Sequence, residues 1–233
     1  MDFLAGLDVT IYRALNGLCG TSHTLDRLFY HSEPLRGVLF MGIFGLLWFR
    51  QDKAQTRTQE TLILTIPAVV LALFLNRAIS MLLPFRMRPM YALGANSPSF
   101  AWAFDLEHWS SFPSDNASYL FAIAASIWLI SRSWGTLFGI FSAFVVAGRV
   151  YLGIHYPSDI LAGALLGIAS ALIVNRAVMH RRVAAPLLTL EPLIPSYFYG
   201  LLFFILAEVV TGFMNTRRLA VAVVHMFTGY PGA

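Results

Sequence analysis

Apolar residues dominate six stretches of the chain, roughly 35–49, 61–84, 116–131, 135–152, 158–178 and 195–214, and polar residues gather between them. A helix that crosses a bilayer needs about 20 mostly apolar residues. Inside lipid, each backbone N–H and C=O has to be paired within its own segment, so helices are the expected element throughout. The pattern predicts an all-α polytopic membrane bundle of about six transmembrane helices. Ahead of the first stretch, Phe3, Leu4, Leu7, Ile11, Tyr12, Leu15 and Leu18 recur at helical spacing. That spacing predicts an amphipathic helix over residues 1–20, either lying in the membrane interface or packed on the bundle. The chain, 1–233, reads as one domain with a long loop at 85–115 and a C-terminal tail at 215–233.

Composition sharpens this picture. Hydrophobic residues make up 58% of the chain and charged residues 12%, against about 25% charged in a soluble domain. Too little polar surface is left to cover a water-exposed globule, and the bilayer becomes the expected partner. The net charge of +4 sits in short clusters between apolar runs. A nucleic-acid partner calls for a continuous basic face, so the expectation is no nucleic acid. Arg50, Lys53 and Arg57, then Arg132, then Arg176, Arg181 and Arg182 fall in alternate connections. The positive-inside rule assigns those connections to the cytoplasm, and 85–115, 153–157 and the N-terminus to the outside. Asp2 and Asp8 make the start of the chain a poor signal peptide. Cys19 is the only cysteine, which excludes an internal disulfide and a thiolate metal cluster.

Three short segments on the expected outer side carry the chemistry: Arg86-Met87-Arg88-Pro89, Phe112 to Asn116, and Gly148 to Asp159. Arg86, Arg88 and Arg149 run against the charge rule. Planar guanidinium groups match phosphate oxygens, which makes an anion the natural ligand. Ser114 and Asn116 at a helix start add donors, and Asp115 partly opposes the attraction. Asp159, four residues after His155, is placed to hydrogen-bond one imidazole nitrogen and leave the other free to attack phosphorus. Each piece taken singly has an ordinary reading. An Arg at a span end is commonly a snorkelling anchor, and Pro-Ser-Asp is a common helix start. Together, on one side of the membrane, they point to an anion site.

These segments resemble the motifs of the PAP2 (type 2 phosphatidic acid phosphatase) superfamily, K-x6-RP, PSGH and SR-x5-H-x3-D. The chain has Arg88-Pro89, Pro113-Ser114 and Arg149-x5-His155-x3-Asp159. The stretch from Gly153 to Gly163 is similar to undecaprenyl diphosphatases of the bacitracin-resistance type. The resemblance implies a PAP2/haloperoxidase-like helical core, and a metal-independent lipid phosphatase without cofactor in the bacterial cytoplasmic membrane, its site facing outward. It makes His155 the nucleophile that forms a phosphohistidine, and Asp159 its orienting partner. Arg88, Arg149 and Ser114 then hold phosphate oxygens.

Two positions depart from the pattern. The motif lysine falls on Met81, with Arg86 and Arg77 as nearby alternatives, and the PSGH histidine is Asn116. An amide does not titrate usefully and is no general acid. A lipid monophosphate must expel an alkoxide, whose conjugate acid has a pKa of roughly 16, like water. A diphosphate expels a phosphate whose last proton has a pKa of about 6. Losing the acid therefore tilts the expected substrate toward a lipid diphosphate, such as a polyprenyl diphosphate. Two alternatives are a phosphotransferase using the same phosphohistidine and a non-catalytic lipid-phosphate binder or transporter. His108 or Asp115 is a further candidate source of the proton.

Overall fold

The computed structural model describes residues 2–95 and 106–216, together with positions 219, 222 and 226. Part of the expected 85–115 loop, including Trp102, and most of the 215–233 tail lie outside the described residues. Every regular element described is helical. In chain order they are α1 Asp2–Asn16, α2 His23–Trp48, α3 Gln55–Leu82, α4 Pro89–Ala92, α5 Asp115–Ile130, α6 Arg132–Tyr151, α7 Pro157–Val174, α8 Ala177–Met179, a π-helical turn His180–Ala184, α9 Ala185–Leu188 and α10 Pro195–Val210.

Each of the six apolar stretches falls on one long helix, with two adjustments. Three helices, α3, α6 and α7, are long and apolar enough to cross a membrane; α5 and α10 are apolar but span 16 residues each. The first apolar stretch starts too late. α2 begins at His23, where Ser22 caps it by accepting the Leu25 N–H at 3.4 Å. Its N-terminal part carries Asp26, Arg27, Glu33 and Arg36, which interrupted the apolar signal.

Helix α5 is the centre of the bundle, packed against α3, α6 and α7. Lipid tails are as apolar as leucine, so membrane helices associate through close packing of small residues. The chain supplies these at the α5–α7 crossing. A Cβ on Gly163 would lie 2.3 Å from the Ser114 carbonyl oxygen, and one on Gly167 would lie 2.1 Å from that of Ser118. Only glycine lets the two backbones approach this closely, and the approach brings the N-terminal ends of α5 and α7 together. Away from this crossing, Phe74, Ile140, Leu161, Leu165, Phe203 and Phe204 stand exposed. In a membrane protein such an apolar outer surface meets lipid.

The expected sorting of connections between two ends has a structural counterpart. Ala54, Arg57, Leu129, Ile130, Asn175 and His180 line one cavity of about 280 Å³. The α2–α3, α5–α6 and post-α7 connections thus gather at one end, and the three chemistry-bearing segments at the other. Helix α1 packs against α6 and α7. Its Asp8, Tyr12 and Asn16 face is buried, whereas Leu7 and Ile11 point outward. Of the two placements expected for this helix, packing on the bundle describes that polar face.

Candidate active site

Backbone hydrogen bonds join the three segments before any side chain is considered. Met90 N–H donates to the Gly153 carbonyl at 2.9 Å, Ser111 N–H to Arg86 at 2.9 Å, and Ser114 N–H to Asp159 at 3.0 Å. Gly153, at φ +78°, makes the turn out of α6 in the left-handed region that favours glycine. Ile154 N–H then returns to the Arg149 carbonyl at 2.9 Å. On the α3 side, Asn76 Nδ2 donates to the Pro113 carbonyl at 3.1 Å and contacts Ser118 Oγ at 3.0 Å.

His155 is buried at 2% exposure in this knot. Its Nδ1 lies 2.9 Å from the Ser111 carbonyl oxygen. A carbonyl only accepts, so Nδ1 carries the proton. Its Nε2 lies 3.3 Å from Arg88 Nη1, and a guanidinium only donates. Both contacts require the same tautomer, with the Nε2 lone pair facing a cation. Burial pushes the imidazole below its ordinary value; Arg88 adds to that push, and Asp159 and Asp115 oppose it.

Asp159 is fully buried in the first turn of α7. Its Oδ2 accepts the Tyr156 N–H at 2.8 Å and lies 3.5 Å from His155 Nδ1. The Ser111 carbonyl is therefore the shorter contact of Nδ1, and Asp159 stands behind it as the charge. The other oxygen of Asp159, Oδ1, meets Arg86 Nη1 at 2.5 Å. Arg86 Nη2 meets Asp8 of α1 at 2.5 Å, Nη1 also reaches Ser158 Oγ at 2.8 Å, and the guanidinium lies 4.1 Å from the Tyr156 ring centroid. Both terminal nitrogens of Arg86 thus lie on carboxylates.

Arg88 and Arg149 are more deeply buried than Arg86, and each keeps a buried donor unpaired. Arg88, 8% exposed, donates Nη1 to the Ile154 carbonyl at 3.2 Å. Arg149 pairs through Nη2 with Glu33 of α2 at 2.8 Å. The Nε of each is buried without a hydrogen-bond partner, as is Ser111 Oγ. An unmade buried hydrogen bond costs about 1–3 kcal/mol, more for a charged group. Such donors, on the segments that carry the motifs, suit an anion.

At the start of α5, Ser114 Oγ caps the helix by accepting the Ala117 N–H at 3.4 Å. Asp115 Oδ1 accepts the Asn116 N–H at 2.8 Å. The Asn116 side-chain oxygen takes the Tyr119 hydroxyl at 3.1 Å and lies 3.4 Å from Arg36 Nη1. Arg36 also pairs with Glu33. Met81, at the motif-lysine position, is 71% exposed; of its two alternatives, Arg77 lies over the Trp109 ring at 4.5 Å, and Arg86 reaches Asp159. His108 is exposed.

Sequence reasoning missed Asp8, Glu33, Arg36, Asn76 and the Ser111 carbonyl. Asp8, Arg36 and Asn76 fall within stretches read as helical and Glu33 just ahead of one, and an ionisable residue inside an apolar helix is a functional signal by default. The carbonyl has no sequence signal.

Helices long and apolar enough to cross a membrane, packed around a buried histidine with arginines whose Nε atoms are buried without partners, make this a membrane protein with a candidate anion site. Residues 61–182 match the PAP2 superfamily, and the chain belongs to that family. It is 29% identical over 169 residues to the bacitracin transport permease protein BcrC of Bacillus licheniformis, covering 72% of this chain and 79% of that protein. It is 37% identical over 75 residues to the putative undecaprenyl-diphosphatase YbjG of Escherichia coli K12, covering 30% of this chain and 38% of that protein. The crystal structure of Aquifex aeolicus LpxE superposes with a TM-score of 0.55 at 25% identity, covering 72% of this chain and 94% of that one.

Proposed function

We propose that this PAP2 membrane phosphatase is a lipid diphosphatase that removes the terminal phosphate of a polyprenyl diphosphate such as undecaprenyl diphosphate. One observation carries the reading. The buried Nε donors of Arg88 and Arg149 lack partners, while Arg88 also faces the lone pair of His155 Nε2. A phosphoryl group there satisfies both donors and presents phosphorus to the nucleophile. Nε2 attacks, the bridging P–O bond breaks, and the lipid monophosphate leaves. Water then attacks the phosphohistidine, releases inorganic phosphate and restores the lone pair.

Within this reading Arg88 and Arg149 hold phosphate oxygens, and Ser114 and Asp115 shape the start of α5 beside them. Ser111 and Asp159 fix the imidazole. Arg86 steadies Asp159 and leaves the phosphate to its neighbours, a change from the role its sequence position suggested. The diphosphatase relatives and the lack of an acid at Asn116 support the substrate class. Gathering of the basic connections at the opposite end supports an outward-facing site in a bacterial cytoplasmic membrane.

The test is phosphate release in detergent, with a chelator present, from a polyprenyl diphosphate and from its monophosphate. Release from the diphosphate, abolished by His155→Ala, supports the reading. Equal release from the monophosphate overturns the substrate class. Phosphate that appears on a second acceptor instead of free in solution identifies a phosphotransferase.

A further inference from the structure

Glu33 and Arg36 lie three residues apart on α2, each with a side chain only 13% exposed. Leu35 and Val38 on the same helix are 52% and 72% exposed. At this level of the helix Leu35 and Val38 thus face outward while Glu33 and Arg36 face inward, as an ionisable pair beside lipid must. Inward here means the site. Glu33 bridges two guanidinium groups, that of Arg36 and that of Arg149, the latter at 2.8 Å. Arg36 also lies 5.6 Å from the Tyr119 ring centroid and 3.4 Å from Asn116 Oδ1. At 3.4 Å the amide contact is long for a hydrogen bond, so Arg36 stands beside Asn116 without being strongly held by it.

We propose that Arg36, tethered by Glu33, is a clamp for the leaving phosphate. It binds the second phosphate of a diphosphate substrate beside Asn116, the position at which the PSGH motif has its histidine. The proposal rests on the diphosphatase reading and deepens it. When His155 Nε2 bonds to the terminal phosphorus, the electron pair of the breaking P–O bond goes to the bridging oxygen. That oxygen becomes part of the departing lipid monophosphate and needs a counter-charge rather than a proton. A guanidinium supplies one in a planar, bidentate form suited to phosphate. An alkoxide leaving from a monophosphate needs the proton itself, which Arg36 does not give. One side chain on a helix outside the motifs thus stands beside the Asn116 departure.

The experiment compares two inorganic probes in the full chain: orthophosphate, which fills the transferred-phosphoryl position only, and pyrophosphate, which spans both. Arg36→Gln is expected to lower kcat/KM for the polyprenyl diphosphate about 100-fold, the scale of losing one transition-state donor. It weakens pyrophosphate binding about 10-fold and leaves orthophosphate within about 3-fold, with Arg36→Lys, which keeps the charge but not the bidentate fork, recovering only part of the loss. Equal weakening of both probes, or of neither, overturns the clamp. A purely structural role for Arg36 predicts the equal loss. If Arg36→Gln does not fold, Arg36→Lys still reads the ratio of the two affinities, with pyrophosphate weakened selectively. The binding measurement stands apart from turnover. A wild-type protein that releases no phosphate removes the diphosphatase reading, while the ratio of the probes still judges the clamp.

Discussion

The carbonyl oxygen of Ser111 lies 2.9 Å from Nδ1 of His155, closer than the Asp159 carboxylate at 3.5 Å. The proton of the resting imidazole is therefore fixed at Nδ1 by a group that cannot donate and does not titrate. The nucleophilic lone pair is left on Nε2. Enzyme quenched during turnover and digested under alkaline conditions is predicted to carry phosphate on Nε2 of His155 and not on Nδ1, as read by mass spectrometry and phosphorus NMR. Phosphate on Nδ1, or on another residue, contradicts the assignment.

The pH profile follows from the same surroundings. Burial and Arg88 hold the imidazole below its ordinary value, which is about 6.5 in peptides. Only neutral imidazole attacks, so the acid limb of kcat/KM is expected below that value. Asp159 opposes the depression. Asp159→Asn thus moves the limb to still lower pH even as it lowers the maximum rate. The unfolded chain takes up its proton at the ordinary value, before the folded protein does. His155 therefore contributes stability that is complete above about 6.5 and lost as pH falls toward the folded value. A limb that moves upward in Asp159→Asn contradicts this account.

Arg86 separates two buried carboxylates, Asp8 at 6% exposure and Asp159 at 0%. Removing the partner of a buried charge is strongly destabilising, by about 3–5 kcal/mol. Arg86→Ala is expected to lower the melting temperature in detergent by several degrees and to reduce kcat together with it. Asp8→Asn keeps the hydrogen-bonding shape and is expected to cost less on both measures. If Arg86 instead held substrate phosphate, its loss would raise KM at unchanged melting temperature.

The α5–α7 crossing offers a test of how the fold aims the site. A Cβ at Gly163 meets the Ser114 carbonyl oxygen at 2.3 Å, a backbone atom that cannot rotate away. Overpacking of this kind costs about 1–3 kcal/mol. Gly163→Ala has to push the start of α5 from that of α7, stretching the 3.0 Å bond from Ser114 N–H to the Asp159 carbonyl. Activity is expected to fall at least about 10-fold, the scale on which small misplacements matter in catalysis. Leu161→Ala, on the exposed face of the same helix, should leave activity near wild type.

Much of this was legible in the chain, and the boundary has a physical reason. Apolar runs located the long helices because lipid demands them. The spacing of Arg149, His155 and Asp159 encoded one turn and one capped helix start, both local features. What the sequence hid was contact between distant helices. Nothing near Asp8 marks it as a partner of Arg86, and nothing near Ser111 marks its carbonyl as the acceptor for His155. Arg86 and Arg88 look equivalent as neighbours in sequence. The fold separates them by giving Arg86 two carboxylates and leaving Arg88 Nε without a partner. Glu33 and Arg36 sit at the start of an apolar run, and nothing local ties them to Arg149 or Asn116.

Asn116 allows the leaving-group argument to be run backwards. Its side-chain oxygen accepts from Tyr119 at 3.1 Å and faces Arg36 at 3.4 Å. Asn116→His puts a titratable group where the leaving oxygen is proposed to sit. General-acid help is worth about 10² to 10⁴ in rate. A monophosphate, which must expel an alkoxide, is expected to gain roughly 100-fold in kcat/KM on that scale. A diphosphate, whose leaving phosphate needs no proton, should change by less than about 10-fold. The positive charge of Arg36 opposes protonation of the new imidazole, so the gain should be larger at mildly acidic pH than above neutrality. A monophosphate gain that is absent at every pH, in protein that still turns over the diphosphate, would show that the missing acid does not set the choice of substrate.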